Sequence, residues 1–198
     1  MNASRKSRTG GKLIVISGPS GVGKTSIVDS MLESTPSVFS VSATTRSARI
    51  GEVDGVDYHF VHRLSFEAKV ESGEILEWAE YGGNLYGTLR SSVQPILESG
   101  RNVILDIENE GAKQIRESYP EALLIFVAPP DLDTLANRLA GRGDTTERDM
   151  ALRLAVAAEQ IAEAPHVYDH IVENADLEEA INAVLDIVGA EDTVFPVQ

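Results

Sequence analysis

An α/β fold, with a parallel sheet flanked by helices, is what this sequence predicts, and three observations predict it. Short runs apolar on both faces recur at Leu13-Ile14-Val15-Ile16, Val103-Ile104-Leu105, Leu123-Leu124-Ile125-Phe126-Val127 and Ile171-Val172. Such runs suit parallel strands covered by helices on both sides. Segments with apolar residues at helical spacing lie between them. The stretch 42–95 breaks the alternation with glycine, polar and aromatic residues, which marks an insertion.

In chain order, residues 1–11 are polar and basic without periodicity and read as a disordered tail; no apolar segment follows that would make a secretory signal. The first strand ends in Ser17-Gly18, and Ile27, Val28, Met31 and Leu32 mark one face of the helix after it. Within the insertion, Tyr58-His59-Phe60-Val61 and Ile75-Leu76-Glu77-Trp78 are expected as strands of an antiparallel unit, with a short helix from Ser65 to Gly73. Asp131 caps a predicted helix carrying Leu132, Leu135 and Leu139, which Gly141 ends. Thr146 caps the next, with Met150, Leu154 and Ile161 on one face. Asp176 with Glu179 approximates a capping box before Leu177, Ile181, Val184, Leu185 and Val188.

The 198 residues suit one compact domain, and 42% hydrophobic with 24% charged residues is ordinary globular usage. No apolar stretch approaches the ~18 residues of a membrane span. Without cysteine there is no disulfide and no thiolate metal site, which fits a reducing, cytoplasmic setting. A net charge of −14 argues against a general nucleic-acid binder. The four histidines, His59, His62, His166 and His170, form no ligand pattern; Pro165 separates the last two from a common helix face.

Gly18-Pro19-Ser20-Gly21-Val22-Gly23-Lys24-Thr25 matches G-x-x-x-x-G-K-[ST] in full, between a buried strand and a helix. The glycines let backbone N–H groups approach phosphate oxygens, and the helix start adds its positive dipole end. Lys24 is expected on the β- and γ-phosphates and the Thr25 hydroxyl on Mg²⁺. Asp106, closing the run Val103-Ile104-Leu105, is where a second, metal-side carboxylate belongs, directly or through water. A nucleoside triphosphate site follows. The absence of an N-K-x-D guanine motif argues against a GTPase and leaves a small kinase.

Further motifs restrict the class. S-V-S-A-T-T-R-S-A-R at 40–49, G-E-x-x-G-x-D-Y-x-F at 51–60, L-E-W at 76–78, G-N-x-Y-G-T at 83–88, L-D-I-x-x-x-G at 105–111 and R-L-x-x-R-G at 138–143 together resemble the guanylate kinase family from about Lys12 to Leu185. The resemblance implies a P-loop kinase core (12–41, 96–130 and 165–198), a GMP-binding subdomain (42–95) and a helical lid (131–164). It implies an enzyme that moves the γ-phosphoryl group of ATP, with Mg²⁺, onto GMP and also dGMP.

The same resemblance assigns roles. Arg46 and Arg49 would fork onto the GMP phosphate, joined by Ser42, Tyr58 and Tyr86. Glu77 would accept from guanine N1–H and the 2-amino group, Thr88 would donate to O6, and Asp106 would also belong to the GMP side. Arg138, Arg142 and Arg153 would close over the ATP phosphates, with Arg138 and Arg142 on one face of a continuing helix. Lys24, Arg46, Arg138 and Arg142 would carry the catalysis. Glu108, Glu110 and Arg148 depart from the usual family pattern. Two other classes compete: a non-catalytic scaffold of the same fold, disfavoured by the retained Lys24 and arginines, and a kinase with another acceptor, disfavoured by Ser42, Glu77, Tyr86 and Thr88. Oligomeric state stays open.

Overall fold

The computed structural model describes residues 10–141 and 147–192. Five parallel strands form the main sheet in the order β2-β7-β1-β8-β9, where β1 is Leu13–Ser17, β2 Val38–Phe39, β7 Val103–Asp106, β8 Leu123–Ala128 and β9 His170–Glu173. Every residue of β1 and β8 is buried, as the doubly apolar runs require. Strand alternation then divides the core. Leu13, Val15, Leu105, Leu124 and Phe126 pack on one face, under α3 (Arg90–Glu98), α4 (Asn109–Ser118) and α6 (Glu147–Val167). Ile14, Ile16, Ile104, Ile125 and Val127 pack on the other, under α1 (Lys24–Ser34) and α7 (Leu177–Asp192).

The insertion forms a second sheet, ordered β4-β3-β6-β5, from β3 (Ala43–Thr44), β4 (His59–Phe60), β5 (Ile75–Tyr81) and β6 (Asn84–Leu89). It is mixed and not antiparallel throughout: β3 pairs antiparallel with β6 but parallel with β4. Pairing direction depends on how the loop 45–58 returns, which no local pattern records. Its small core is Ala43, Phe66, Ile75 and Leu85. The helix of this unit, α2, spans Arg63–Glu71, two residues earlier at each end than the pattern suggests. Tyr58 lies outside β4 and makes only an isolated bridge to Asp54.

Asp131 caps α5 (Leu132–Ala140) as expected, its Oδ1 accepting from Thr134 N–H at 2.6 Å, and Gly141 follows the last turn. The helix ends at Ala140. Arg142 and the Thr146 cap lie outside the described residues, as does residues 1–9 of the tail. α5 packs on α6 through Leu135, Leu139 and Ala157. α6 runs through Pro165 to Val167, although a proline there donates no N–H to the Ile161 carbonyl; His166 is on that helix and His170 on β9. The Asp176 carboxylate accepts from the Glu178 and Glu179 N–H groups at the start of α7. Helices α3 and α6 run across residues 95 and 164 and so join the segments that the sequence separates there. Among the described residues no helix is long and apolar enough to cross a membrane.

Candidate active site

The turn after β1 leads to α1 on one face of the sheet, and the turn after β7 leads to α4 on the other. Adjacent strands whose exits diverge leave a crevice at their carboxyl ends. Into it the register places both expected groups, since Ile16 pairs with Asp106. Gly18 turns the chain with φ 141°, and a β-carbon there would collide with the Val127 carbonyl. Gly23, at φ 100°, is the N-cap of α1 and leaves no room for a side chain beside Asn174. Lys24 Nζ donates to the Gly18 and Pro19 carbonyls at 2.7 and 3.3 Å and stands 3.9 Å from Asp106. Thr25 is exposed in the first turn of α1. Burial pushes the Asp106 carboxyl up; Lys24 opposes the shift and Glu108 adds to it.

Sequence reasoning missed the residue that holds this cradle from below. Asn174, buried just beyond β9, donates Nδ2–H to the Val22 carbonyl at 2.7 Å. Its own carbonyl accepts from Arg138 Nη2 at 3.0 Å, with that of Ala175 at 3.4 Å. Arg138 is thus engaged on backbone carbonyls beside the cradle. Arg153 of α6 lines a cleft of about 470 Å³ with Pro19, Ser20, Tyr81, Glu108 and Gln160. Gln160 also donates to Glu108 at 2.9 Å, tying that helix to the turn after Asp106.

Arg46, Tyr58 and Tyr86 converge in the second sheet. The Arg46 guanidinium lies 5.4 Å from the Tyr58 ring centroid and 5.7 Å from that of Phe60, and the Tyr58 and Tyr86 rings meet edge-on at 5.9 Å. The fork expected for a phosphate is already occupied on one side. Both terminal nitrogens of Arg46 donate to Glu52 at 2.8 Å, and Nη1 donates to the Ser47 carbonyl as well. Glu52 further accepts the Arg49 N–H at 2.7 Å, so one carboxylate fixes both arginine positions. The Arg46 hydrogen bond, then that of Arg49, holds Glu52 down at about 2. An acidic residue six after Arg46 and three after Arg49, inside the 51–60 motif, was the available signal. The Arg49 side chain is exposed, and Ser42, half-buried, directly precedes β3.

Glu77 is 3% exposed, an unusual burial for a carboxylate. A bulge in β5 between Ile75 and Glu77 places it there: Ile75 packs in the small core, Leu76 in the main core, and Glu77 turns into the seam between them. Thr88 Oγ1 donates to Glu77 Oε1 at 2.6 Å. A hydroxyl carries one hydrogen, so a donation from Thr88 to guanine O6 requires this bond to open. Burial pushes Glu77 up to about 7, against the Thr88 hydrogen bonds that pull it down. Gly111 of α4 faces the other oxygen, and any β-carbon there would collide with Glu77 Oε2.

Comparison with known proteins shows the family. The family model described as guanylate kinase matches residues 10–191. The guanylate kinase of Symbiobacterium thermophilum is 47% identical over 182 residues, covering 91% of this chain and 86% of that one. That of Synechocystis is 44% identical over 183 residues, covering 92% and 95%. The crystal structure of guanylate kinase from Anaplasma phagocytophilum superposes with a TM-score of 0.77 at 34% identity, covering 94% of this chain and 88% of that one.

The raised Glu77 carboxyl has a consequence for stability. Because the folded protein holds this proton more tightly than the unfolded chain, the stability it contributes is present below about 4.5 and is lost as pH rises through about 7. At about 1.4 kcal/mol per unit the loss is about 3 kcal/mol. Glu77→Gln is therefore expected to raise Tm at pH 8 and to leave it almost unchanged at pH 4.5, as calorimetry at the two values will show.

Proposed function

This chain belongs to the guanylate kinase family and transfers the γ-phosphoryl group of ATP to GMP, and we propose that three groups of residues divide the work. Residues Gly18 to Thr25, with Arg138, Arg142 and Arg153, hold ATP. Ser42, Arg46, Arg49, Tyr58 and Tyr86 hold the acceptor phosphate. Glu77 and Thr88 read guanine, with Asp106 at the boundary between the two nucleotides. The observation that supports this most is the placing of Glu77: a carboxylate buried in a seam and held by the neighbouring Thr88. Guanine presents two donors, N1–H and the 2-amino group, to one carboxylate; adenine offers no such pair on that edge.

No general base is needed, since a phosphate monoester with a second pKa near 6 is largely a dianion at neutral pH. The chain's residues act by alignment and charge neutralisation. Glu52 orients Arg46 so that its remaining N–H groups, and not its whole fork, meet the acceptor phosphate. Lys24, now resting on the Gly18 and Pro19 carbonyls, would exchange them for phosphate oxygens. Arg138, Arg142 and Arg153 would surround the transferred group from the 131–164 lid, which closes water out of the cleft. The core and the 42–95 subdomain carry the donor and acceptor sides.

Thr25 and Asp106 supply only oxygen donors, a hydroxyl and a carboxylate, and that set fits Mg²⁺. These two residues would hold the ion, Asp106 directly or through water. When bound it neutralises charge on the β- and γ-oxygens. The enzyme is expected to work in the cytoplasm and to accept dGMP too.

ADP release from MgATP, followed with GMP, AMP, CMP and UMP offered separately, tests the reading: release should depend on GMP. Lys24→Ala should cut kcat by about 10²–10³ while ellipticity and Tm stay near those of the parent. Equal ATP consumption with and without GMP would contradict the assignment. In the same assay Glu77→Gln should lower kcat/KM for GMP about a hundredfold and leave the Kd for ATP unchanged. Unaltered GMP kinetics would remove Glu77 from the base pocket.

A further inference from the structure

The strand that carries Glu77 is an edge of its sheet, since among the described residues β5 pairs only with β6. An edge strand leaves alternate N–H and C=O groups without a strand partner. The bulge just before Glu77 removes further restraint, because it interrupts the ladder on the paired side. A side chain that must meet two donors of a base at once is thus mounted on an edge strand, beside an interruption in its ladder.

Helix α4 compensates at the next residue. Gln114 Oε1 accepts the Trp78 N–H at 3.1 Å, and Gln114 Nε2 donates to the Trp78 carbonyl at 2.7 Å. Its primary amide therefore completes the edge as the peptide group of a neighbouring strand would. Nε2 donates also to the Glu110 carbonyl at 3.1 Å, which fixes the amide's orientation on its own helix. Gly111 lies three residues before Gln114 and so on the same helix face. Successive residues of β5 meet that face one turn apart: Glu77 faces Gly111, and Trp78 is gripped by Gln114.

We infer that Gln114 is a positioning residue for guanine discrimination, acting through the Trp78 backbone on the Glu77 carboxylate. This rests on the reading of Glu77 as the guanine acceptor. Gly111 provides the room and Gln114 the register. Both sit on a helix whose Ala112 and Ile115 are anchored in the main core, so the rigid core dictates where the subdomain's carboxylate stands. Without the clamp, the Glu77–Trp78 peptide can rotate and the two guanine donors no longer meet two well-placed oxygens.

The test is Gln114→Met, which removes both bonds at nearly constant volume, made alone and combined with Glu77→Gln. Substrates are GMP and IMP, which lacks the 2-amino group. Gln114→Met is expected to raise KM for GMP about tenfold, narrow the GMP:IMP ratio of kcat/KM, and leave KM for ATP unchanged. In the Glu77→Gln background it should alter that ratio little further, as two residues acting through one contact do. A merely structural contact would lower activity toward both acceptors alike and keep the ratio. If Glu77→Gln changes the ratio but Gln114→Met does not, or the two effects simply add, the positioning role is overturned alone. If Glu77→Gln leaves the ratio unchanged, the guanine reading fails and this role with it.

Discussion

Keeping a carboxylate nearly out of water while leaving it able to ionise is the constraint around which this molecule is arranged. An ionised group so buried costs several kcal/mol unless hydrogen-bonded, and Glu77 has a bond to Thr88 on one oxygen. The arrangement that tolerates this is composite. A bulge turns the side chain inward, Thr88 on the neighbouring strand holds Oε1, and Gly111 on a helix of the other unit makes space for Oε2. Neither sheet could build the site alone. Leu76 in the main core and Ile75 in the small one show the same sharing, one residue apart.

The proposed donor side obeys a different rule. Its parts sit where a parallel sheet places them, at the carboxyl ends of neighbouring strands with divergent exits. Backbone does most of the work there, so the constraints fall on glycines and on the groups that hold the backbone, such as Asn174 beneath Val22. The proposed acceptor side relies on side chains that hold other groups in place, with Glu52 gripping the Arg46 guanidinium and the Arg49 backbone at once. On the proposed assignment, the Arg46 guanidinium, restrained before the substrate arrives, loses less entropy when it binds.

Features whose cause is local could be read from the sequence. The strands β1, β7 and β8, which bury both faces, are written as unbroken apolar runs, and the cradle as a glycine pattern between strand and helix; the fourth run, in the last strand of the sheet order, buries Val172 alone and leaves Ile171 exposed. Asp131 announces the start of α5 because its bond to Thr134 spans only three residues. Short, interrupted or mostly polar elements escaped. β2 and β3 have two residues each, β6 carries Asn84, Gly87 and Thr88, α3 contains Pro95, and α4 buries Ala112 and Ile115 amid charged neighbours. The parallel pairing of β3 with β4 escaped for another reason, since nothing within either strand encodes its partner's direction. Of the candidate site, the residue types were legible through the family resemblance. Their present partners were not: the Glu52 grip, the Thr88 bond and the Gln114 clamp link residues that only the fold brings together.

The proposed recognition of guanine turns on the ionisation of one side chain, and the ¹³C shift of the Glu77 carboxyl followed through a pH titration observes it directly. Without nucleotide the midpoint should lie near 7, well above the ordinary glutamate range. With saturating GMP it should fall by more than a unit, because two guanine donors favour the charged form. A midpoint near 4.5 in the free protein, or one that GMP does not move, would contradict a buried carboxylate that guanine completes.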